Sequence, residues 1–487
     1  MPPWAVMRFA VVPGLFALAL TGVACGPDDA DPPAEDGDTG SIDEGGDTGE
    51  DTGEGQTDDA DDDGSTGAEL DPDAPTFYGD VLPVVIENCA VCHQDGGIGP
   101  FALETYETAR DLAEVIALQT SQRLMPPFTV DNSGECNTFV DARWLDQEEI
   151  DVFAAWAEAG APEGDPTLVQ PELPPIPTLD ADDTTEFATP AGYQPIADTT
   201  GTNGLDDYQC FLMDPGVGDQ TRYLTGYEVL PGNPTVTHHL VGFLVDLEAE
   251  GGLFGTNGDI IQTLDEASPD QPGWDCYGGP GNAVIPIGTP ITWAPGSGAL
   301  EFPAGTGIAI PPGHGLVVQM HYNLAYGDGE DSTTIRLAWA DQVEREAVMS
   351  GDDRFLAAGF NGGIEIPPGE ESWVYSWDVP MSDFGSQVSG WDAVEVLGIL
   401  PHMHEIGTRM VVELQTGGDT QCGAYVDRWD FDWQQTVLLE NPMVVAPSDR
   451  LMVTCEYDST SRDNPTTPGL GSQTEMCAVG ILLAEAP

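Results

Sequence analysis

The stretch Leu400-Pro-His402-Met403-His404-Glu405 sets two imidazoles two residues apart. Alternate side chains of an extended strand share a face, so His402 and His404 can reach one metal ion. Imidazole suits copper, zinc, iron or nickel. The chain has only 7 His in 487 residues, and they cluster. His93 ends the run Cys89-Ala-Val-Cys92-His93, His238 and His239 are adjacent, and His321 lies in Gln319-Met320-His321-Tyr322. His314, in Pro311-Pro-Gly-His-Gly, stands outside these patterns and fits a turn.

Adjacent residues face opposite sides of a regular strand, so His238 and His239 can share a metal only at a strand end or bulge. The preceding Pro231-Gly-Asn-Pro234 loop makes such a break natural. His321, on the same strand face as Gln319, would complete a three-imidazole site; a solvated His pair is the bland alternative. His402 and His404 need a third ligand, and no His follows them. Met476, in Gln473-Thr-Glu-Met476-Cys477, offers a soft thioether of the kind that selects copper(I). A methionine taken alone is more often core.

Cys89-Ala-Val-Cys92-His93 has the spacing of covalent haem c attachment. Two thiols on one helical turn can bond the porphyrin vinyl groups, and the next imidazole can ligate iron. Met125, in Leu124-Met-Pro-Pro-Phe128, is the candidate sixth ligand, and a Met/His pair raises the reduction potential. The alternatives are a disulfide beside a structural His93, and a buried apolar Met125. The surrounding sequence resembles the small c-type cytochrome modules of bacterial periplasmic proteins.

Several elements must position these groups. The length suggests roughly three domains. Residues 1–25 fit a signal peptide, with Arg8 before an apolar run too short and Pro/Gly-interrupted to span a membrane. Gly22-Val-Ala-Cys25-Gly resembles a lipoprotein cleavage site with Cys25 as the lipidated residue; plain secretion with cleavage near Ala24 stays open. Residues 26–74 are acidic, nearly devoid of apolar side chains, and read as a disordered spacer. Residues 75–170 carry helical patterns: Leu112, Val115 and Ile116 share a face, and Asp146 with Glu149 forms a capping box before Ile150, Phe153, Ala154 and Ala157. Residues 171–199 begin with a Pro-rich run and read as a linker. Beyond them short alternating strands are split by Gly/Pro/Asn/Asp turns, which indicates β-sandwiches or barrels dividing near Met349–Phe360.

The chain has 85 acidic residues against 12 basic ones, all Arg. Such a surface repels phosphate backbones and anionic lipid, which excludes nucleic acid as a natural partner. The 9 Cys fit an oxidising compartment.

The series His-His, Gln-x-His-Tyr, His-x-His and Glu-Met-Cys, in this order, resembles the copper type II, ascorbate-dependent monooxygenases, the peptidylglycine- and dopamine-hydroxylating family, over about residues 200–487. The resemblance implies two jelly-roll-like β-sandwiches, residues 200–350 and 351–487, with one copper each facing across a solvent-filled gap. His238, His239 and His321 match the electron-transfer copper; His402, His404 and Met476 match the copper at which oxygen is activated. Cys455–Cys477 and Cys210–Cys276 match family disulfides, while Cys136 and Cys422 have no assignment. In the peptide-acting branch an Arg that anchors the substrate carboxylate stands at the position of Leu400, and polar residues stand where this chain has Ala478 and Gly480. The peptide substrate is therefore not expected here.

The expected fold is mainly β: two jelly-roll-like sandwich copper domains preceded by a small α-helical cytochrome c-like domain and a disordered acidic linker. The expected function is an exported, periplasmic or cell-surface monooxygenase that uses two copper ions and haem c. Its partners would be a small-molecule or peptide substrate, dioxygen, and an electron donor (an ascorbate-like reductant or a redox protein), with a membrane lipid anchor at Cys25. A copper and haem electron-transfer protein without catalysis is the alternative, and a binding protein with vestigial metal sites is a third reading.

Overall fold

The computed structural model describes residues 74–487 except 98, 100, 169–171, 176–177, 198–203, 252–254, 277–278, 295–296, 326, 353, 355–357, 360–363, 386, 432 and 470. The expected signal peptide, Cys25 and nearly all of the acidic spacer lie outside the described residues. Among the described residues no helix is long and apolar enough to cross a membrane.

Strands dominate from residue 184 onward, in three sheets of nine, five and four strands. The five-stranded sheet is built on Asp206–Met213, Thr237–Asp246 and His314–Asn323, with His314–Asn323 between the other two. It packs on one half of the nine-stranded sheet around Leu224, Leu240, Val318, Met320 and Leu337. The four-stranded sheet packs on the other half around Val396, Ile399, Val412, Val453 and Ile481. These are the two expected sandwiches. They share a sheet: Arg345–Asp352 pairs in parallel with Thr306–Ile310 on one side and antiparallel with Ala478–Glu485 on the other. Leu397, Leu482 and Ala484 from the C-terminal half belong to the N-terminal core. Continuous backbone pairing thus fixes the two sandwiches to each other.

The sheet begins earlier than the sequence suggests. Thr184–Ala188, inside the stretch expected as linker, pairs with Thr334–Ala340, and Leu179 and Tyr193 are buried. Asn257–Ala267 is a helix in a region where only strands are expected. Its signal is present in the sequence: Thr256 and Asp259 form a capping box, and Ile260 and Ile261 supply the buried face.

The helical region holds Tyr106–Asp111, Ala113–Ser121 and Gln147–Glu158, after an irregular helical stretch over residues 77–89. The Asp146/Glu149 capping box forms as expected. The buried face of the last helix is Ile150, Phe153 and Trp156, whereas Ala154 is exposed. Spacing alone could not choose between neighbouring arcs of one helix; the large indole decides it.

This region does not hang on a linker. Its segment 128–140 runs across the C-terminal sandwich and joins one edge strand of each of its two sheets. Val130 bridges Val426 on the edge strand of the small sheet, and Phe139 bridges Leu439 on the edge strand of the large one. Cys136–Cys422, the pair left without assignment, forms a disulfide between them. Phe128, Val130 and Phe139 sit in the C-terminal core. Covering both edges also removes unpaired strands that could otherwise recruit other chains. Phe139→Ala should therefore destabilise the C-terminal sandwich by about 3–5 kcal/mol. Urea unfolding followed by tryptophan fluorescence checks this; an unchanged midpoint would mean that the segment only rests on the surface.

Candidate metal centre

His238 and His239 sit at the start of Thr237–Asp246, where the ladder to His314–Asn323 shifts register. Thr237 pairs with Tyr322 and His239 with His321, so His238 is the extra residue of a bulge. The bulge turns His238 to the side that His239 already faces. The Nδ1 atoms of His238 and His239 are 3.2 Å apart, and those of His239 and His321 are 3.1 Å apart. The three residues can offer ligand atoms all within 4.8 Å of one another. Nitrogens that converge so closely around one point fit the roughly 2.0–2.1 Å bonds imidazole makes to a metal.

Partners fix these rings. Asp206 accepts from His321 Nε2 at 3.0 Å, which leaves Nδ1 free for a metal. Burial pushes the Asp206 carboxyl up, but hydrogen bonds from His321, Ser472 and Asn323 outweigh it and hold the pKa at about 2. Tyr208 stacks on His321 at 4.2 Å between ring centroids. Gln319, on the same face as His321, donates to the carbonyls of Cys276 and Gly279. It thereby fastens the loop closed by the Cys210–Cys276 disulfide. Both disulfides implied by the family resemblance are present, Cys455–Cys477 being the other. His314 opens its strand after a turn at Gly313 and takes no part in the cluster.

His402 ends the strand Val394–His402, and His404 lies beyond it. The two rings still converge, at 5.2 Å between centroids, although not because both ride one strand. Glu475 replaces the missing ladder: its carboxylate accepts from the backbone N–H groups of His404 and Ile406, each at 2.9 Å, and of Met476 at 3.1 Å. Burial pushes the Glu475 pKa up to about 8 against these donors. One carboxylate thus sets both the histidine turn and the Met476 strand entry. His404 Nδ1 donates to the Thr474 carbonyl and His402 Nδ1 donates to Gln434 Oε1, at 3.1 and 2.5 Å. Both Nε2 atoms remain for a metal.

His402, His404 and Met476 line one cavity together with His239 and Tyr208. The rest of its wall is mainly apolar, with Leu240, Phe243, Trp293, Leu400, Ala478 and Gly480 beside Thr289, Thr292, Gln319 and Gln434, and no Asp, Glu, Lys or Arg among the described residues lines it. Side chains of both halves meet beside the two clusters. Phe431 lies between His238 and His404, at ring-centroid distances of 4.7 and 5.9 Å. Ser472 of the C-terminal half donates to Asp206 of the N-terminal half. Burial, the largest cause, depresses the pKa of His239, His321, His402 and His404; His321 falls to about 4 and His404 to about 3. Neutral imidazoles are the form that binds metal.

A second cavity is lined by Cys89, Cys92, His93 and Met125, with Leu112, Val115 and Ile116. Val115 is 49% exposed because its side chain faces this cavity rather than the helical core. Cys89 and Cys92 are the unpaired cysteines among the described residues, so the alternative of a local disulfide is not realised. Burial, then Glu149 and Cys92, push the Cys89 thiol up to about 12. His93 Nδ1 donates to the Phe101 carbonyl at 3.0 Å, leaving Nε2 for an axial ligand. Gly99 lets this ring approach: a Cβ there would lie 2.6 Å from His93 Nδ1.

Sequence reasoning missed Asp206, Tyr208, Phe431, Gln434 and Glu475. Only Glu475 carried a signal, as the neighbour of a candidate ligand; the others reach the site through pairing and loop closure.

Residues 357–485 match the family model for the C-terminal domain of copper type II ascorbate-dependent monooxygenases. The chain is 26% identical to bovine (Bos taurus) dopamine beta-hydroxylase over 64% of its length and 48% of that protein. It is 24% identical to Caenorhabditis briggsae tyramine beta-hydroxylase over 55% of this chain and 44% of the relative. Against Gallus gallus DBH-like monooxygenase protein 1 it is 25% identical over 39% of this chain and 32% of the relative. The chain therefore spans less than half the length of each of these relatives. Likeness to solved structures is slight: the major capsid protein P2 from bacteriophage PM2 gives a TM-score of 0.20 at 10% identity, over 57% of this chain and 97% of that one, and carries no argument. The matched C-terminal domain and the hydroxylase relatives thus make part of this chain similar to the copper type II ascorbate-dependent monooxygenases.

Proposed function

We propose that the chain is an exported copper-dependent monooxygenase that hydroxylates a C–H bond of an uncharged, apolar substrate with dioxygen. The observation that carries this reading is the cavity that His239 of the three-histidine cluster lines together with His402, His404 and Met476. His238, His239 and His321 would hold one copper, and His402, His404 and Met476 a second. Copper supplies one-electron and oxygen chemistry that redox-inert zinc cannot. The protein's own residues do the rest. Asp206, Gln434 and the Thr474 carbonyl orient the imidazoles, Glu475 holds the Met476 turn, and the apolar wall excludes water while it seats the substrate. The three disulfides fit an oxidising, exported setting.

The second cavity supports haem c, with Cys89 and Cys92 as attachment thiols and His93 and Met125 as axial ligands. Haem supplies one electron at a time, and an ascorbate-like reductant or redox protein would replenish it. Residues 75–170 would form the haem domain, with the copper domains following it.

Two outcomes test the proposal. Copper-loaded protein should consume dioxygen in step with a hydroxylated product, and Met476→Ala should lower that coupled rate by about 100-fold or more while the three-histidine copper stays bound. Oxygen uptake, product analysis and elemental copper content decide it; full activity in the variant, or zinc as the retained metal, would refute it. Among the described residues no charged side chain lines the cavity to pair with a charged substrate group. Neutral apolar substrates should exceed carboxylate or ammonium analogues of similar shape by about 100-fold in kcat/KM, since an unpaired charge there is costly to desolvate. Efficient turnover of a glycine-extended peptide would contradict this.

A further inference from the structure

Arg428, Trp433 and Gln434 lie in one segment of the C-terminal sandwich that reaches both cavities. Trp433 lines the cavity of Cys89, Cys92, His93 and Met125. The next residue, Gln434, is buried and hydrogen-bonded through Oε1 to His402 Nδ1 at 2.5 Å. Its Nε2 donates to the Phe431 carbonyl at 2.8 Å, so the amide is held in place from both ends. At the start of the segment, Arg428 donates to the Arg123 carbonyl, two residues before Met125. The Arg123 guanidinium in turn stacks over Trp144, 4.4 Å from the ring centroid. With Cys136–Cys422 and the paired edges, the two cavities are held in a fixed relation.

We infer that Trp433 and Gln434 form the electron path between the two cavities, and that electrons enter the copper centre at His402. This rests on the proposed haem and copper occupancy. Electron transfer weakens steeply across gaps and is favoured along covalent and hydrogen-bonded contacts. An indole in one cavity wall is joined by one peptide bond to an amide bonded to a candidate copper ligand. Per transfer, one electron leaves ferrous haem, which becomes ferric, and reduces one cupric ion to cuprous; no bond forms and no proton moves. The external one-electron donor then restores the haem.

The experiment uses the full chain carrying covalent haem and copper, fully oxidised and free of oxygen. A light-driven small-molecule donor reduces the haem in a flash, and haem absorbance and the copper(II) paramagnetic signal are followed. Haem should reoxidise in a first-order phase independent of protein concentration, with matching loss of copper(II) signal. Trp433→Leu should slow that phase by about tenfold or more through loss of a contiguous contact, and Trp433→Phe should fall between the two. An unchanged rate in both Trp433 variants, with their haem spectrum and copper content intact, would overturn the path. Protein without covalent haem bands would instead overturn the occupancy on which the path rests, and is recognised before any flash.

Discussion

Two histidine clusters can meet at one mainly apolar cavity only if the nitrogens of their rings are spoken for. Burial makes the charged form costly, and it depresses the pKa of His239, His321, His402 and His404. A neutral ring has one N–H to place, and here it is placed deliberately. Asp206 takes the proton of His321, Gln434 that of His402, and the Thr474 carbonyl that of His404. Each partner leaves the other nitrogen facing the cluster. The two clusters use opposite nitrogens, Nδ1 in the bulged strand and Nε2 beyond the strand end, because their partners approach from opposite sides.

That arrangement needs a rigid frame, since its members come from both sandwiches. The shared sheet supplies it through Arg345–Asp352, which is hydrogen-bonded to a strand of each half. Asp206 and Ser472 add a polar tie next to the metal centre itself. The helical region is fixed by a different device. Its 128–140 segment bridges one edge strand of each sheet of the C-terminal sandwich, and a disulfide pins it there. Burying an aromatic side chain such as Phe139 contributes about 1.5–3 kcal/mol. The covalent order of the chain suggests a separate module, but the packing makes it part of the sandwich.

Much of this was legible in the sequence. Scarce histidines in pairs marked both clusters, the adjacency of His238 and His239 required a bulge, and strand alternation with turn residues marked the sandwiches. The capping box at Asp146 fixed a helix start. What stayed hidden was long-range. Cys136 finds Cys422 only because the 128–140 segment crosses two edges, and Asp206 meets His321 only through strand pairing. His402 and His404 converge although the strand ends at the first of them, because a buried Glu475 from a distant loop holds the turn. Local spacing cannot encode such partners.

The central claim is that two unlike metal sites share one cavity, one with imidazole ligands alone and one with imidazoles and a thioether. X-ray absorption at the copper edge of cuprous-loaded protein tests it most directly. The account predicts two coppers per chain with nitrogen neighbours at both and a sulfur neighbour at one, the sulfur contribution vanishing in Met476→Ala. A spectrum with nitrogen and oxygen neighbours only, or a sulfur contribution that survives Met476→Ala, would contradict it.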